Sequence, residues 1–470
     1  MRDKLLKSSA YVLFSNALRL GSKFLVGVVA ARVLGPTSFG FYNLVDLVNK
    51  YAPLSNLGVS SGISREIPMS LGRGAEGRAA ELNDAGFTGL LLTTGGTALF
   101  IIAGSAFFYN GLAFFAITMA SLTIVANAIY EYHIMYLYSY GEFRKASHVI
   151  SAYSVILLVL SVSLVLLFNI WGQFTAIFVV PLATIALVYG WKVHRFSFRL
   201  DAPTYLHIVK IGLPLIVIGI GYTFLTTFDR LLIARMYDIT NLGYYGLAIM
   251  VFVFGQQIPS AVSQVIYPRL NLLFGQSDRT ERLAEVAILP SVLIAVCLSP
   301  LLAAFMALLP PLVAAFLPEY RNGIIPAEII IIPIAVFEIN VLNTLFRVKT
   351  LIAIIVLSIA VKTAGAFLFY KLSFGLPGIA VASCIGLLCY SVTVTVLSLR
   401  AMRKKVSYVA RYLLFYVLLP LASLSVGFAM LNGYLRNPAI LALPAVYYGY
   451  LGYRVFRRGP AWDELLRVLE

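Results

Sequence analysis

Residues 31–44 read ARVLGPTSFGFYNL, and a related stretch, ARMYDITNLGYYGL, occupies residues 234–247. At this constant offset the second copy repeats six residues of the first, which are Ala31, Arg32, Thr37, Gly40, Tyr42 and Leu44. Each copy joins the first apolar segment of one half of the chain to the second apolar segment. Because an even number of predicted membrane segments separates the copies, both halves have the same orientation. The sequence therefore predicts a parallel internal repeat, an architecture typical of transporters.

Apolar runs long enough to cross a bilayer continue outward from this repeat toward both ends of the chain. Of the 470 residues, 60% are hydrophobic and 12% are charged, whereas an ordinary soluble domain carries about 25% charged residues. Because a spanning helix needs roughly 20 apolar residues, we predict about fourteen spanning helices and no separate soluble domain. The predicted spans are 11–33, 40–62, 86–108, 112–137, 149–169, 174–191, 211–235, 244–267, 287–309, 324–346, 350–371, 377–399, 412–432 and 439–456. The longest connection, 63–85, is predicted to form a small amphipathic surface helix.

The basic residues are distributed asymmetrically between the predicted loops. The chain has 36 Lys and Arg residues against 20 Asp and Glu residues. With the N-terminus in the cytoplasm, the cytoplasmic loops receive most of the basic residues, as the positive-inside rule requires. The outer loops then contain only Arg32, Arg235, Arg321, Lys371 and Arg436. This asymmetry predicts a multi-pass protein of the cell membrane with both termini in the cytoplasm.

The sequence has no motif for nucleotide hydrolysis or for a catalytic metal. Neither G-x-x-x-x-G-K-[ST] nor H-E-x-x-H occurs, and the four histidines are scattered. We therefore expect a protein that is not an enzyme and that uses no metal or cofactor. The enzymatic alternative is a membrane-embedded glycan polymerase or ligase. Such an enzyme needs convergent acids or histidines at an outer loop, where Asp238 and Glu319 are the main acidic residues.

Two motifs resemble those of a known family. The first is the loop signature ARVLGPTSFGFYNL, and the second is GLPLIVIGIGYTFLTTFDRLLIAR at residues 212–235. The second motif has a Gly-x-Pro opening at Gly212 and Pro214 and an Asp-Arg pair at Asp229 and Arg230. These residues resemble the oligosaccharide/polysaccharide flippase family of the multidrug/oligosaccharidyl-lipid/polysaccharide exporter superfamily.

The resemblance implies both a fold and a function. The implied fold is an all-α membrane protein with two six-helix bundles in parallel pseudo-repeat around a central cavity, plus two C-terminal helices. The corresponding domains are residues 1–200, 201–405 and 406–470. The implied function is movement of a polyprenyl-pyrophosphate-linked oligosaccharide to the outer leaflet by alternating access, for cell-surface polysaccharide biosynthesis. The implied partners are the lipid-linked anionic glycan, membrane lipids and glycosyltransferases or a polymerase of the same pathway, and no nucleic acid.

Four basic residues, Arg19, Lys23, Lys50 and Lys362, lie near the centres of predicted spans. Each costs about 2.5–3.5 kcal/mol at a helix centre, so these side chains must face a wet cavity or buried partners. Helical spacing places Asn16, Arg19 and Lys23 on one face of the first helix. It also places Asp46 and Lys50 on one face of the next helix. A cavity with cationic walls would suit a pyrophosphate. The predicted substrate-binding residues are Asn16, Arg19, Lys23, Asp46, Lys50, Arg230, Gln256, Glu338 and Lys362.

Structural ion pairing is the competing interpretation of these charges. Asp46 and Lys50 are four residues apart and could neutralise each other, and Glu338 could pair with another buried base. Asp229 and Arg230 lie about six residues past the centre of their helix, where an interfacial salt bridge is favoured over a ligand role.

The main alternative function is a cation-coupled multidrug antiporter of the same superfamily. Organic cations would favour an acidic cavity, and the residues near the midplane are mostly basic. Glu131 and His133, near the inner end of their helix, are candidates for proton coupling, although their polar tips could simply reach the interface.

Overall fold

The computed structural model describes residues 2–190, 198–199, 201–257, 259–260, 262–263, 270, 283–336, 338, 341–345, 347–433 and 449. Within these ranges all regular secondary structure is helical, which confirms the predicted all-α fold. The chain divides into two compact units, residues 1–243 and 244–470, and each is described by itself. The predicted domain boundaries at residues 200 and 405 stay a prediction.

Six long or medium helices form the first unit, and a seventh begins at its end. They are α1 (Arg2–Tyr51), α2 (Val59–Gly72), α3 (Glu76–Phe108), α4 (Gly111–Ser139), α5 (Phe143–Gly190), α6 (Ala202–Met236) and α7 (Ile239–Gly255). α6 begins where the Asp201 carboxylate accepts a hydrogen bond from the Thr204 backbone N–H at 3.3 Å. This is the usual N-cap arrangement, in which a side chain satisfies a free helical donor.

Two of these helices turn back on themselves. In α5, Asn169 has a left-handed φ of 50°, and Ile150 packs in the same buried cluster as Ile185. A straight helix would separate those two residues by about 52 Å, so the chain reverses at Asn169. α5 therefore contains the two spans predicted at 149–169 and 174–191.

In α1 the break is at Gly35, which has a φ of 66° and precedes Pro36. Lys23, before the break, is close enough to Asp46, after it, for their charges to interact. A straight helix would place the two residues about 35 Å apart. The chain therefore folds back at Gly35, within the connection predicted between the spans 11–33 and 40–62.

The second predicted span, 40–62, is wrong at its C-terminal end. α1 ends at Tyr51, a 3-10 turn covers Ala52–Asn56, and Leu57 and Gly58 have positive φ values of 50° and 82°. Pro53 occupies the start of the 3-10 turn, where its missing N–H is tolerated. α2 then begins at Val59, so the surface helix predicted within 63–85 lies at Val59–Gly72.

The apolar face of α2 is buried inside the first unit. Val59, Ile63 and Ile67 follow a four-residue spacing, which places them on one helix face. They pack in one buried cluster with residues of α3, α4 and α6, including Phe87 and Tyr132. α2 is thereby fixed against three neighbouring helices.

α2 and α6 approach each other most closely at two glycines. A Cβ at Gly212 would overlap the Gly58 backbone carbonyl, whereas a Cβ at Gly219 on the same helix would meet no atom within 4 Å. We expect Gly212→Ala to destabilise the protein by about 1–3 kcal/mol through overpacking. Gly219→Ala is the matched control and should be neutral or stabilising by up to about 1 kcal/mol. Thermal unfolding of both purified variants in detergent checks this, and equal midpoints would contradict the close-packing interpretation.

The repeated segments found in the sequence contact each other inside the first unit. The Thr37 and Thr240 hydroxyls, which occupy equivalent repeat positions, are 3.0 Å apart. A Cβ at Gly40 would overlap the backbone next to Gly243, and a Cβ at Gly243 would overlap the Pro36 backbone. Two of the six shared positions, Thr37/Thr240 and Gly40/Gly243, therefore contact their own counterparts, which supports the internal repeat.

The second unit continues with shorter and more interrupted helices. They are α8 (Leu283–Phe316), α9 (Ile324–Ile331), α10 (Val341–Thr344), α11 (Val348–Lys371), α12 (Gly375–Ala401), α13 (Val406–Leu413) and α14 (Leu419–Leu431). A π-helical turn at Leu414–Leu418 joins α13 to α14. The main buried cluster forms where α8, α12 and α13 meet, around Leu283, Leu399 and Tyr412.

The predicted span 324–346 is not one continuous helix. α9 ends at Ile331, a 3-10 turn follows at Ile332–Ala335, and the next α-helical turn begins at Val341. Pro333 lies at the start of the 3-10 turn and cannot donate the hydrogen bond that would continue the helix. The predicted span 439–456 lies outside the described residues, apart from residue 449.

Nine helical stretches in the described part of the chain are long and apolar enough to cross a bilayer. Two of them, Phe14–Asn56 and Phe143–Tyr189, contain the reversals at Gly35 and Asn169. The protein is a multi-pass integral membrane protein.

Candidate functional site

The polar face predicted on the first limb of α1 is present. The Asn16 side-chain amide donates to the Val12 carbonyl at 2.9 Å, and the Arg19 guanidinium Nη2 donates to Asn16 Oδ1 at 2.9 Å. Asn16 thereby holds Arg19 along the helix surface. Arg19 is only partly buried, so its guanidinium is accessible.

α4 supplies a carboxylate to Arg19. The distance from Arg19 Nη1 to Glu131 Oε1 is 4.0 Å, and the side chains are 30% and 60% exposed, respectively. The sequence suggested proton coupling or an interfacial position for Glu131 and gave no sign of this pairing. His133, considered with it, is buried and lies edge-on to Phe87 and Tyr189, so its ring does not reach an exposed interface.

A second set of charges joins the second limb of α1 to α6. The Asp46 carboxylate is 3.5 Å from Lys50 Nζ and 3.8 Å from Arg230 Nη1. Asp46 and Lys50 do form the pair that their spacing indicated, but Asp46 also faces Arg230. One carboxylate thus lies between two basic groups.

Arg230 is the most buried of these basic residues in the first unit. Its side chain is 4% exposed, and its Nε and Nη1 atoms have no hydrogen-bond partner among the described residues. Asp229, also buried, accepts a hydrogen bond from the Arg230 backbone N–H at 3.0 Å. The ion pair of Arg230 is therefore made with Asp46 on the second limb of α1, and it is buried, whereas the sequence suggested an interfacial position.

Lys23 lies near both sets of charges. Its side chain is exposed, and the charges of Arg19, Lys50, Glu131 and Asp46 act on it. We call the residues Arg19, Lys23, Asp46, Lys50, Glu131 and Arg230 the charged cluster. It contains four basic and two acidic groups, and basic groups still outnumber acidic ones when Asp229 is included.

Tyrosines surround the charged cluster. The Tyr130 and Tyr153 rings are stacked with centroids 4.5 Å apart, and the charges of Arg19 and Glu131 act on both. Tyr51 shares a 2.7 Å hydrogen bond with the Thr227 hydroxyl. Because the chain has 28 tyrosines, the sequence offered no signal that singled these out. Tyr130 is buried and the Tyr51 hydroxyl is already bonded, so these tyrosines belong to the packing around the charged cluster.

The remaining predicted site residues belong to the second unit. Lys362 on α11 is buried, and its Cβ lies close to Gly386 on α12. Glu338 is half-buried and accepts a hydrogen bond from the Ser391 hydroxyl at 3.4 Å. Gln256 follows the end of α7 and is also half-buried. Their role in substrate binding stays a prediction.

Comparison with known proteins gives a family match and a fold match. The sequence family described as "Polysaccharide biosynthesis protein" matches residues 28–326. No curated protein sequence is significantly similar to the chain.

Several solved structures share the fold at low sequence identity. A lipid II flippase, MurJ, in an inward closed conformation has a TM-score of 0.64 at 13% identity, covering 96% of this chain and 99% of that one. An inward-facing multidrug resistance MATE transporter of the MOP superfamily has a TM-score of 0.62 at 14% identity, covering 85% and 99%. A MOP superfamily transporter from Pyrococcus furiosus, whose binding pocket is described as having reverse polarity, has a TM-score of 0.57 at 15% identity, covering 85% and 97%. The fold is that of the MOP superfamily transporters.

Proposed function

Because the chain belongs to the polysaccharide biosynthesis protein family, we propose that it is a flippase for a polyprenyl-pyrophosphate-linked oligosaccharide. It moves this lipid across the cell membrane by alternating access, for the synthesis of cell-surface polysaccharide. The proposed substrate site in the first unit is formed by Asn16 and the charged cluster without Glu131, with the buried Arg230 as a positioning residue. In the second unit the proposed substrate-binding residues are Gln256, Glu338 and Lys362.

The observation that carries this proposal is the excess of basic groups in the charged cluster. A pyrophosphate is a compact anion with several acceptor oxygens, and guanidinium and ammonium groups are its usual partners. Arg19 and Lys23 are accessible, whereas Arg230 is buried beside Asp46. We assign direct phosphate contact to Arg19, Lys23 and Lys50, and we assign Arg230 to holding the cluster together.

The chemistry of the rest of the substrate agrees with the surroundings. Hydroxyl-rich sugars match the amides of Asn16 and Gln256 among the proposed residues, and the lipid tail can remain in the bilayer. The flippase among the solved structures supports the proposal only through its fold, because its sequence identity is low.

The second candidate function, a cation-coupled multidrug antiporter, is favoured by one observation. Asp46 and Glu131 are carboxylates of the kind that would bind an organic cation or a proton. Asp46, however, lies between Lys50 and the buried Arg230, so an organic cation would have to compete with two basic groups there, and at Glu131 it would meet the positive charge of Arg19. This competition makes the anionic lipid the better-suited substrate.

Orientation and partners follow from the same proposal. Both termini lie in the cytoplasm, so the substrate is taken up from the leaflet where lipid-linked sugars are assembled. The proposed partners are membrane lipids and the glycosyltransferases or polymerase of the pathway. The chain itself catalyses no bond formation, in contrast to a glycan polymerase or ligase.

Reconstitution into lipid vesicles tests the function directly. A fluorescent polyprenyl-diphosphate-linked sugar is placed in both leaflets, and a membrane-impermeant reagent measures how quickly the inner pool becomes accessible. We expect transfer that depends on the protein and no uptake of tetraphenylphosphonium under a proton or sodium gradient. Gradient-driven tetraphenylphosphonium uptake without lipid transfer would instead identify the antiporter.

A further inference from the structure

The two carboxylates of the charged cluster are held in different ways. Asp46 lies between Lys50 and the buried Arg230, and its side chain is 19% exposed. Glu131 is 60% exposed and lies 4.0 Å from Arg19, with no hydrogen bond joining them in the described structure. By contrast, the exposed pair Arg78 and Glu81 on α3 forms a direct hydrogen bond of 3.1 Å. Glu131 is therefore close to Arg19 without being locked to it.

Replacing Glu131 by another anion as the partner of Arg19 should cost little free energy. Two unit charges 4 Å apart attract by about 1 kcal/mol in water and about 4 kcal/mol near a protein surface. The exposure of Glu131 places this pair toward the lower value, since water and ions screen exposed charges. A diphosphate carries more charge and can accept two parallel hydrogen bonds from one guanidinium. It should therefore compete successfully with Glu131 for Arg19.

We propose that Glu131 is a displaceable counter-ion that occupies Arg19 when the site is empty and yields it to the diphosphate of the substrate. This inference rests on the proposed function, because it assumes that the substrate is an anionic lipid. Glu131 would lower the affinity of the site and return to Arg19 as the substrate leaves.

The negative charge of Glu131 would therefore speed the dissociation of the bound substrate. Without Glu131, the charged cluster would keep its four basic groups with only Asp46 to balance them. An anion bound there would dissociate more slowly. Neutralising Glu131 should therefore increase affinity while reducing turnover, which a carboxylate that contacts the substrate directly would not do.

Binding of farnesyl diphosphate to the purified full-length protein in detergent provides the test. We expect Glu131→Gln to lower the Kd about tenfold, from the loss of one competing charge at ~4 Å. Glu131→Asp, which keeps the charge on a shorter side chain farther from Arg19, should give a smaller decrease. Glu81→Gln removes an exposed carboxylate that pairs with Arg78 outside the charged cluster, and its Kd should equal that of the unmodified protein.

The outcomes separate this inference from the proposed function. If neither the unmodified protein nor Glu131→Gln binds farnesyl diphosphate, the proposed function fails and the counter-ion role fails with it. If the unmodified protein binds and Arg19→Ala weakens binding, but both Glu131 variants bind equally or less tightly, only the counter-ion role is overturned. Loss of tetraphenylphosphonium binding in Glu131→Gln would overturn both in favour of the antiporter. Tighter binding together with slower lipid transfer in vesicles supports the proposal.

Discussion

Arg19→Ala is expected to reduce transfer of a polyprenyl-diphosphate-linked sugar by at least about tenfold while leaving the protein folded and inserted. Charge-assisted hydrogen bonds contribute about 1.5–3 kcal/mol each, which corresponds to roughly 10–150-fold in a binding constant. Arg19 is accessible, and Asn16 holds it in place. Removing it should therefore affect substrate binding more than folding. The vesicle assay described above measures the effect as an initial rate at limiting substrate.

Two further variants test whether the loss of transfer is specific to the Arg19 guanidinium. Arg19→Lys keeps the charge but loses the planar pair of donors, so it should recover only part of the rate. Arg73→Ala removes an exposed arginine outside the charged cluster and should transfer lipid at the unmodified rate. Unchanged transfer in Arg19→Ala, Lys23→Ala and Lys50→Ala, each inserted normally, would rule out the cationic mechanism.

Sequence alone predicted the features that depend on local pattern. The apolar runs indicated a membrane protein, and the Gly35-Pro36 dipeptide marked the reversal within α1. The spacing of Asn16 and Arg19 predicted a shared helix face, on which the two side chains are hydrogen-bonded. Each of these inferences depends on residues close together in the chain, where helix geometry fixes the relation.

Contacts between distant helices could not be predicted in the same way. Arg19 meets Glu131 on α4, and Asp46 meets Arg230 on α6, because tertiary packing determines which helices are neighbours. The break at Leu57 and Gly58 was missed for a related reason. Gly58 has a positive φ and also lies against the backbone of Gly212, which is far away in the sequence.

Asp46→Ala is expected to destabilise the folded protein by about 3 kcal/mol, the lower end of the range for breaking a buried ion pair. The lower end applies because the Asp46 side chain is 19% exposed, whereas Arg230 is only 4% exposed. Without Asp46, the Arg230 guanidinium would stay buried with no carboxylate within ion-pair distance among the described residues. Its Nε and Nη1 atoms already lack hydrogen-bond partners there. The cost is therefore that of an uncompensated buried charge.

A double-mutant cycle isolates this cost from the loss of the Asp46 side chain itself. Asp46→Ala with Arg230→Met removes both charges and keeps an apolar side chain of similar length, so most of the lost stability should return. Lys50→Met breaks the other pair of Asp46, but Lys50 is 42% exposed, and its loss should cost less than about 1 kcal/mol. Unfolding midpoints in one detergent at one pH compare these variants with Arg230→Met alone and with the unmodified protein, which completes the cycle. If Asp46→Ala unfolds at the same temperature as Lys50→Met, then Arg230 does not depend on Asp46, and the charged cluster has no buried anchor on α6.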